Sequence, residues 1–342
     1  MPNQKYVVNN TLAISHADDD TVYFISSKKR FRIKGPGMGS AARDILRAFV
    51  QPVSVDDAVE SLSDKYSRLT LTKFINYLLA NFVLVDEHEA RLFQELDEGF
   101  LDKTLLYSLG GGSMTAVMDK LGSLKIGLIG SNHVLQEIYR QFATSGFCVN
   151  FSVTFTDYDY ALPSIGDSSI AYYPLTAGAS GISELIEQCD FVVAAAKYHD
   201  HYLFNEVSGV CHENSKEWLR VVIDGLDVEV GPIFVPSETC CYSCLHYRRR
   251  QNLSTDESYF SDLCEGKEFH EGAKSVKGIF GTIHPLNNLA ASLAVAEAFK
   301  HFCGASSCLI NQVLNINAQD FQTQTHYIYK VFDCPVCGSG VR

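Results

Sequence analysis

The sequence predicts an α/β protein in which a small α+β unit precedes a larger domain of alternating strands and helices. Three observations carry that expectation. The first ninety residues hold short strand-like runs, then three amphipathic helical patterns and a closing strand. From residue 124 onward, strand-length apolar runs alternate with helical ones, which implies a largely parallel sheet. The composition, 46% hydrophobic and 20% charged over 342 residues, is that of a packed chain with two or three domains.

In chain order, Tyr6-Val7-Val8, Leu12-Ala13-Ile14 and Val22-Tyr23-Phe24-Ile25 are strand runs separated by polar turns. Phe31-Arg32-Ile33-Lys34 alternates apolar with basic residues and stops at Gly35-Pro36-Gly37. Ile45, Leu46 and Phe49 share a helical face. Val55, Val59 and Leu62 share a second, with Ser54 as its N-cap. Leu71, Phe74, Ile75, Leu78 and Leu79 share a third, capped by Thr70. Phe82 to Val85 returns to strand, which gives residues 1–90 a winged-helix outline. Residues 91–123 read as a linker with some helix, from Glu89 to Phe100, punctuated by Gly110-Gly111-Gly112-Ser113.

Residues 124–342 carry the α/β pattern. Lys125 to Gly130 is a buried strand entering a helix of Val134 to Ala143. Val149–Phe155, Asp190–Ala195, Trp218–Ile223 and Val228–Val235 read as strands, and Ile182–Gln188 and the Ala-rich Asn287–Phe302 as helices.

Charge and chain ends narrow the function. Lys and Arg number 28 against 40 Asp and Glu, a net charge of −12, which disfavours a nucleic-acid binder. The polar first ten residues lack the order of a secretory signal, and no apolar run approaches the roughly 20 residues that span a bilayer. The chain therefore reads as cytoplasmic, with no membrane partner.

In a reducing compartment clustered cysteines point to metal or catalysis before disulfides. Of 11 cysteines, Cys148, Cys189, Cys211, Cys264, Cys303 and Cys308 are scattered in mostly apolar surroundings and read as small buried hydrophobes. The others form two clusters, Cys240-Cys241-Tyr242-Ser243-Cys244 and Cys334-Pro335-Val336-Cys337-Gly338. Two Cys-x-x-Cys pairs supply four thiolates to one tetrahedral zinc ion, with no position left open for substrate. Cys241, Cys244, Cys334 and Cys337 are the candidate ligands of a structural zinc site across roughly 90 residues. Cys240 in place of Cys241, and His246 as a further ligand, stay open; two unrelated redox or packing pairs are the alternative.

The first strand–helix turn is where a glycine-rich phosphate loop belongs. Here Gly130 is followed by Ser131-Asn132-His133-Val134, and the Gly-x-Gly-x-x-Gly spacing is absent. Asp157 and Asp159 follow the second strand, in a turn-like aromatic context. No Ser-His-Asp set stands out. His199, His201, His212, His270 and His284 have no site-building spacing, and Arg248-Arg249-Arg250 reads as a solvated helix end or a partner contact.

Several motifs carry a family resemblance: Asp190-Phe191-Val192-Val193, Asp224-Gly225-Leu226, Gly231-Pro232-Ile233-Phe234-Val235-Pro236, the first Cys-x-x-Cys, His284-Pro285-Leu286-Asn287-Asn288 and the terminal Cys-Pro-Val-Cys-Gly. In order and spacing, from about Leu124 to Arg342, they resemble ThiF-like, ubiquitin-activating-enzyme-like proteins. The resemblance implies a Rossmann-like α/β domain. The best-matching branch processes ribosomally made peptides and places a winged-helix peptide-recognition domain first, as residues 1–90 suggest here. Two sub-branches compete: partners of YcaO cyclodehydratases, which form azoline rings, and adenylating enzymes similar to the microcin C maturation enzyme. The adenylating enzymes carry an intact glycine-rich loop, an Asp for ribose, and an Arg and a Lys for the ATP phosphates. Tyr158 to Gly181, where the two cations belong, contains neither Arg nor Lys. The resemblance therefore implies the degenerate, scaffold form, with ATP bound by a YcaO-type partner and not by this chain.

In that family the leader segment of a precursor peptide adds as a strand and packs against the third helix, with main-chain hydrogen bonds for affinity. Mapped here, the leader-binding candidates are Arg30, Phe31, Arg32, Ile33 and Lys34 on the edge strand, and Lys73, Phe74, Tyr77 and Leu78 on the helix. The cations suit an acidic leader. Core packing is the alternative role for Phe74 and Leu78, and a solvated face for the charged residues. A homodimer is expected by the same analogy.

Overall fold

The computed structural model describes residues 4–10, 12–25, 30–95, 114–144, 150–155, 170–172, 180–254, 282–307 and 309–338. The chain divides into two units, Met1–Asp119 and Lys120–Arg342.

The first unit contains β1 (Lys5–Val8), β2 (Ala13–His16), β3 (Thr21–Ile25), β4 (Arg30–Lys34), α1 (Met38–Ala48), β5 (Val53–Ser54), α2 (Val55–Leu62), α3 (Arg68–Ala80), β6 (Leu84–Asp86) and α4 (Glu87–Glu95). Its strands form two antiparallel sheets, ordered β5-β1-β6 and β2-β3-β4. Val22 and Phe24 of β3 point inward with Ile45 of α1 and Ile75 and Leu78 of α3, all fully buried. Each such side chain contributes roughly 1.5–3 kcal/mol of burial. Ser54 caps α2 by accepting from the Asp57 N–H at 3.1 Å.

Two expectations are corrected here. The N-cap of α3 is Ser67, whose Oγ accepts from the Thr70 N–H at 3.2 Å, so Thr70 lies inside the first turn. The closing strand begins at Leu84 because Phe82 and Val83 end α3. Phe82 takes φ +56°, its N–H reaches Leu79 O, and Val83 N–H reaches Leu78 O, the two bonds of a Schellman motif.

Helix α5 (Met114–Ser123) spans the boundary between the units. The second unit continues with β7 (Lys125–Gly130), α6 (Asn132–Thr144), β8 (Asn150–Phe155), β9 (Ile170–Tyr172), α7 (Ser180–Gln188), β10 (Phe191–Ala196), α8 (His201–Glu213), β11 (Glu217–Asp224), β12 (Asp227–Phe234), α9 (Tyr242–Arg250), α10 (His284–Phe302), β13 (Gln312–Asn317) and β14 (Gln322–Tyr327). One sheet runs β14-β13-β12-β11-β10-β7-β8-β9.

This sheet is mixed, which corrects the largely parallel expectation. β9, β8, β7, β10 and β11 pair in parallel, and the β11/β12, β12/β13 and β13/β14 ladders are antiparallel. The reversal occurs where Asp224 pairs with Asp227 across a two-residue turn. β10 is buried on both faces, as a strand covered on both sides must be. Val192, Ala194 and Ala196 join one cluster with Leu185, Phe204 and Tyr242, while Phe191 meets Phe302 of α10 edge-on at 5.0 Å.

Candidate functional site

Cys241 is the N-cap residue of α9, and Cys244 lies on its first turn. Cys334 and Cys337 follow β14 in a tight turn. The four sulfur atoms lie within 4.8 Å of one another. Cys241 is 3.5 Å from Cys334, Cys244 is 3.4 Å from Cys337, and Cys241 is 3.8 Å from Cys244. A tetrahedron of thiolates with metal–sulfur bonds of about 2.3 Å has edges of about 3.8 Å. The donor set can therefore hold a metal ion, and all four thiols are free of disulfides. Gly338 is required by the turn: a Cβ there would stand 2.5 Å from Cys334 O and 2.7 Å from Cys334 N. The Val331 N–H donates to Cys244 Sγ at 3.3 Å, an outer contact of the kind that orients a thiolate.

Without a metal the four groups compete. Burial pushes the Cys337 thiol up to about 11, and the Cys241 thiol up as well. Burial also opposes ionisation of Cys334, but the N–H groups of Cys337 and Val336 and the Cys241 thiol outweigh it and hold Cys334 at about 7. A metal binding here would displace the protons of Cys241 and Cys337.

Cys240 stands outside the group. Its N–H donates to Asn311 Oδ1 at 2.9 Å, and its thiol is pushed up to about 12, first by burial and then by Cys244 and Cys337. His246 is also outside it, with its ring 4.1 Å from that of His201.

The basic run on α9 contains a feature that the sequence reading missed. Arg249 is not a solvated helix end. Its Nη1 donates to Glu229 Oε2 at 2.7 Å and its Nη2 reaches His199 Nε2 at 2.9 Å. Arg220 of β11, only 1% exposed, donates from both terminal nitrogens to Glu229 Oε2 at 3.0 Å. Its Nη2 also reaches His199 Nδ1 at 2.9 Å, and Asn315 donates to Glu229 Oε1 at 3.3 Å. Burial opposes ionisation of Glu229, but the Arg220 and Arg249 guanidinium groups overcome it and hold the carboxyl below its ordinary range. Burial pushes His199 down to about 3, so it is neutral and accepts from a guanidinium through one ring nitrogen, Nδ1 from Arg220 or Nε2 from Arg249, depending on the tautomer. Alternation alone puts Glu229, between Val228 and Val230, on the polar face of β12; the strand is buried on both faces, so the carboxylate needs a cation that the sequence did not signal.

His201 is likewise buried, its Nδ1 2.6 Å from the Tyr242 hydroxyl, and burial pushes its pKa down to about 2. His212 lies on α8, His284 is largely exposed, and His270 lies outside the described residues.

In the first unit, β4 is the edge of its sheet. Phe31 stacks on Phe24 at 4.9 Å and meets Tyr77 of α3 edge-on at 6.3 Å, so α3 lies along the strand. The nine named residues divide. Ile33, Phe74 and Leu78 belong to the core, the last two at 6% and 0% exposure, so their bulk is spent on packing. Tyr77 is 45% exposed; Arg30, Arg32, Lys34 and Lys73 are exposed, and Phe31 is half-buried.

The first strand–helix turn consists of Ser131 alone, between β7 and α6. A Cβ on Gly130 would stand 1.9 Å from Ala195 O. The Ser131 N–H donates to that same oxygen at 2.8 Å, so a donor that a phosphate loop would offer an anion is spent inside the protein. Asp157 and Asp159 lie outside the described residues, as does most of Tyr158 to Gly181. No described helix is long and apolar enough to cross a membrane.

A family model described as the ThiF family matches residues 162–336, just over half of the chain. No curated protein sequence matches it. Among solved structures, E. coli MccB is similar at 17% identity and a TM-score of 0.71, over 99% of this chain and 98% of that one. A complex of E. coli MccB with AMPCPP and MccA is similar at 16% identity and a TM-score of 0.69, over 98% and 100%. A heterocyclase in complex with substrate and cofactor is similar at 14% identity and a TM-score of 0.65; the match covers 98% of this chain and 39% of that one. At these identities the likeness is one of fold.

Proposed function

The chain belongs to the ThiF family, and from that premise we propose that it is a leader-peptide-binding scaffold. It recruits a ribosomally made precursor peptide to a YcaO-type, ATP-dependent cyclodehydratase that forms thiazoline or oxazoline rings. The observation that carries this reading is the closed turn after β7, where Gly130 packs on Ala195 O and the Ser131 N–H is already satisfied. On this reading the electrostatic stabilisation of phosphoryl or adenylyl transfer is left to the partner's site. Its contribution is tethering, which raises the local concentration of the modified segment at the partner's active site.

The edge strand Arg30–Lys34 with Tyr77 beside it is the proposed leader site. The four cysteines are proposed to hold a structural zinc, and the protein to act as a homodimer. Zinc suits four thiolates at these separations and would leave no ligand position for substrate.

A second reading is an adenylating enzyme, favoured by the end-to-end likeness to E. coli MccB. An ATP–pyrophosphate exchange assay decides between them. The scaffold reading expects no exchange by the protein alone with ATP and a precursor peptide, and leader affinity that persists without ATP. Peptide-dependent exchange would replace it with the adenylating reading.

A further inference from the structure

The three cations of β4 and the aromatic pair beside it do not share one groove. Register separates them. Phe31 lies opposite Phe24 and Ile33 opposite Val22, on the face that packs the core. Arg32 lies opposite Tyr23, Arg30 opposite Ile25 and Lys34 opposite Thr21. Directly opposed residues of an antiparallel pair point to one face. Tyr23 and Ile25 are 37% and 41% exposed, and behind them Ser15 and Ala13 of β2 continue the same rows. The face turned away from α3 therefore carries a stripe of three positive charges at the free edge of the sheet, with no carboxylate in either row.

The charges on this stripe are unmatched. Among the described residues neither Arg30 nor Arg32 nor Lys34 forms an ion pair. The nearest acidic run, Asp18-Asp19-Asp20, is engaged at the start of α1: Asp20 Oδ1 accepts from the Gly37 N–H at 2.7 Å and Asp19 Oδ1 from the Ser40 hydroxyl at 3.0 Å. The chain as a whole carries −12, so a local +3 stripe stands against the global sign. It acts over about one Debye length, roughly 8 Å at physiological salt, and so on a strand directly beside it.

We infer that β4 reads a bound strand from both faces at once, selecting acidic residues opposite Arg30, Arg32 and Lys34 and apolar residues, in alternation, beside Phe31 and Tyr77. This rests on the proposed leader-binding role and specifies its ligand: a segment of about five residues in which Asp or Glu alternates with apolar side chains at period two. Side chains of an added strand must alternate between the faces. The face toward α3 offers the rings of Phe31 and Tyr77, with Lys73 exposed one turn along the helix, and the other face offers the three cations of β4 with Tyr23 and Ile25 behind them.

The test uses the full-length protein as bait for a displayed library of random 15-residue peptides. Enriched peptides should alternate apolar with acidic residues. The variant Arg32→Glu, at an exposed position, should move the enriched charge to Lys or Arg at the same parity and leave the apolar parity intact. Arg30→Glu should do the same two positions away. In synthetic copies of an enriched peptide, each Asp→Asn or Glu→Gln change should weaken binding roughly two- to fivefold, the scale of a cross-strand charge pair. Tyr77→Ala should weaken binding without altering the acidic preference.

Acids at no fixed parity, acids sharing the parity of the apolar residues, or a preference unmoved by Arg32→Glu would overturn the two-faced reading and leave the leader site standing. Retention of duplex DNA on the same cations would also overturn it. Strand addition is tested separately by N-methylating alternate backbone amides of an enriched peptide, which should abolish binding on one parity. Binding indifferent to N-methylation, or no enrichment at all, would remove the leader site and this inference together.

Discussion

Replacing Glu229 by Gln should cost the second unit about 3 kcal/mol. The carboxylate takes two 3.0 Å bonds from Arg220 and one of 2.7 Å from Arg249. Arg220 is 1% exposed, so without its counter-charge it is a buried, uncompensated cation. Breaking such a pair from one side typically costs about 3–5 kcal/mol. The lower end applies, because the Gln oxygen still accepts one hydrogen bond and the partly exposed Arg249 can turn toward water. Against a domain stability of about 5–15 kcal/mol this is a large fraction.

The assay is built into the chain. Trp218 is the single tryptophan, is buried, and stacks on Phe234 at 4.3 Å, so its fluorescence reports unfolding of this sheet. With a urea slope near 2 kcal/mol/M, the midpoint should fall by about 1.5 M. The double change Arg220→Met with Glu229→Leu should cost less than Glu229→Gln alone, because it removes the buried charges together. The pH dependence has a definite sign. The folded Glu229 carboxyl is held below its ordinary value of 4.5, so its contribution is complete above that value and is lost as pH falls below it. The difference between wild type and Glu229→Gln should be flat from pH 7 to 5 and shrink at lower pH. A midpoint drop under about 0.3 M, or a double variant worse than the single, would refute the account of Arg220 as a cation that depends on Glu229.

Metal analysis of purified protein should find one zinc per chain; Cys334→Ser should lose it and several kcal/mol of stability, while Cys240→Ser should keep both. Ser215 ends α8 at φ +52° with its side chain exposed, so Ser215→Gly should raise stability by about 0.5–1 kcal/mol in the same urea experiment. Leu78→Ala should cost about 2–5 kcal/mol in thermal melts of the first unit, and Tyr77→Ala under about 1 kcal/mol, because only Leu78 lies fully in the core.

The cysteine group was legible because a two-residue gap is a local constraint that survives any fold; that Gly338 closes a turn too tight for a Cβ emerged only from the structure. β4 was legible from its apolar–basic alternation, and β3 as a short apolar run between polar turns. What the sequence obscured was pairing across distance. Arg220, Glu229 and Arg249 come from β11, β12 and α9, and nothing in Arg248-Arg249-Arg250 distinguishes the one residue that turns inward. Phe74 and Leu78 share a stripe with Tyr77 close by, and only the position of the sheet decides which of them meets solvent. The antiparallel half of the large sheet had one overlooked marker, Gly225, which takes φ +60° at the first position of the two-residue Gly225-Leu226 loop, a place that favours glycine in hairpins. β13 and β14 are rich in Gln, Asn and Thr and give no apolar alternation to read.

Helix α9 joins these devices into one argument. It has nine residues, below the length at which a helix is stable in water by itself, so its position depends on what holds its ends. Its N-terminal end carries Cys241 and Cys244, and its C-terminal half carries Arg249. With a metal bound, the first pair closes the chain between Cys244 and Cys334. By analogy with a cross-link over a loop of that length, such a closure is worth about 4–5 kcal/mol in lost disorder of the unfolded state. The second tie fixes the helix to β11 and β12 through Glu229. Neither tie needs a nucleotide, and both lie on the antiparallel side of the sheet, away from the closed turn at Gly130. With the Ser131 N–H spent on Ala195 O, both ties serve the proposed scaffold as they would an adenylating enzyme, so the exchange assay and not the anchors separates the two readings.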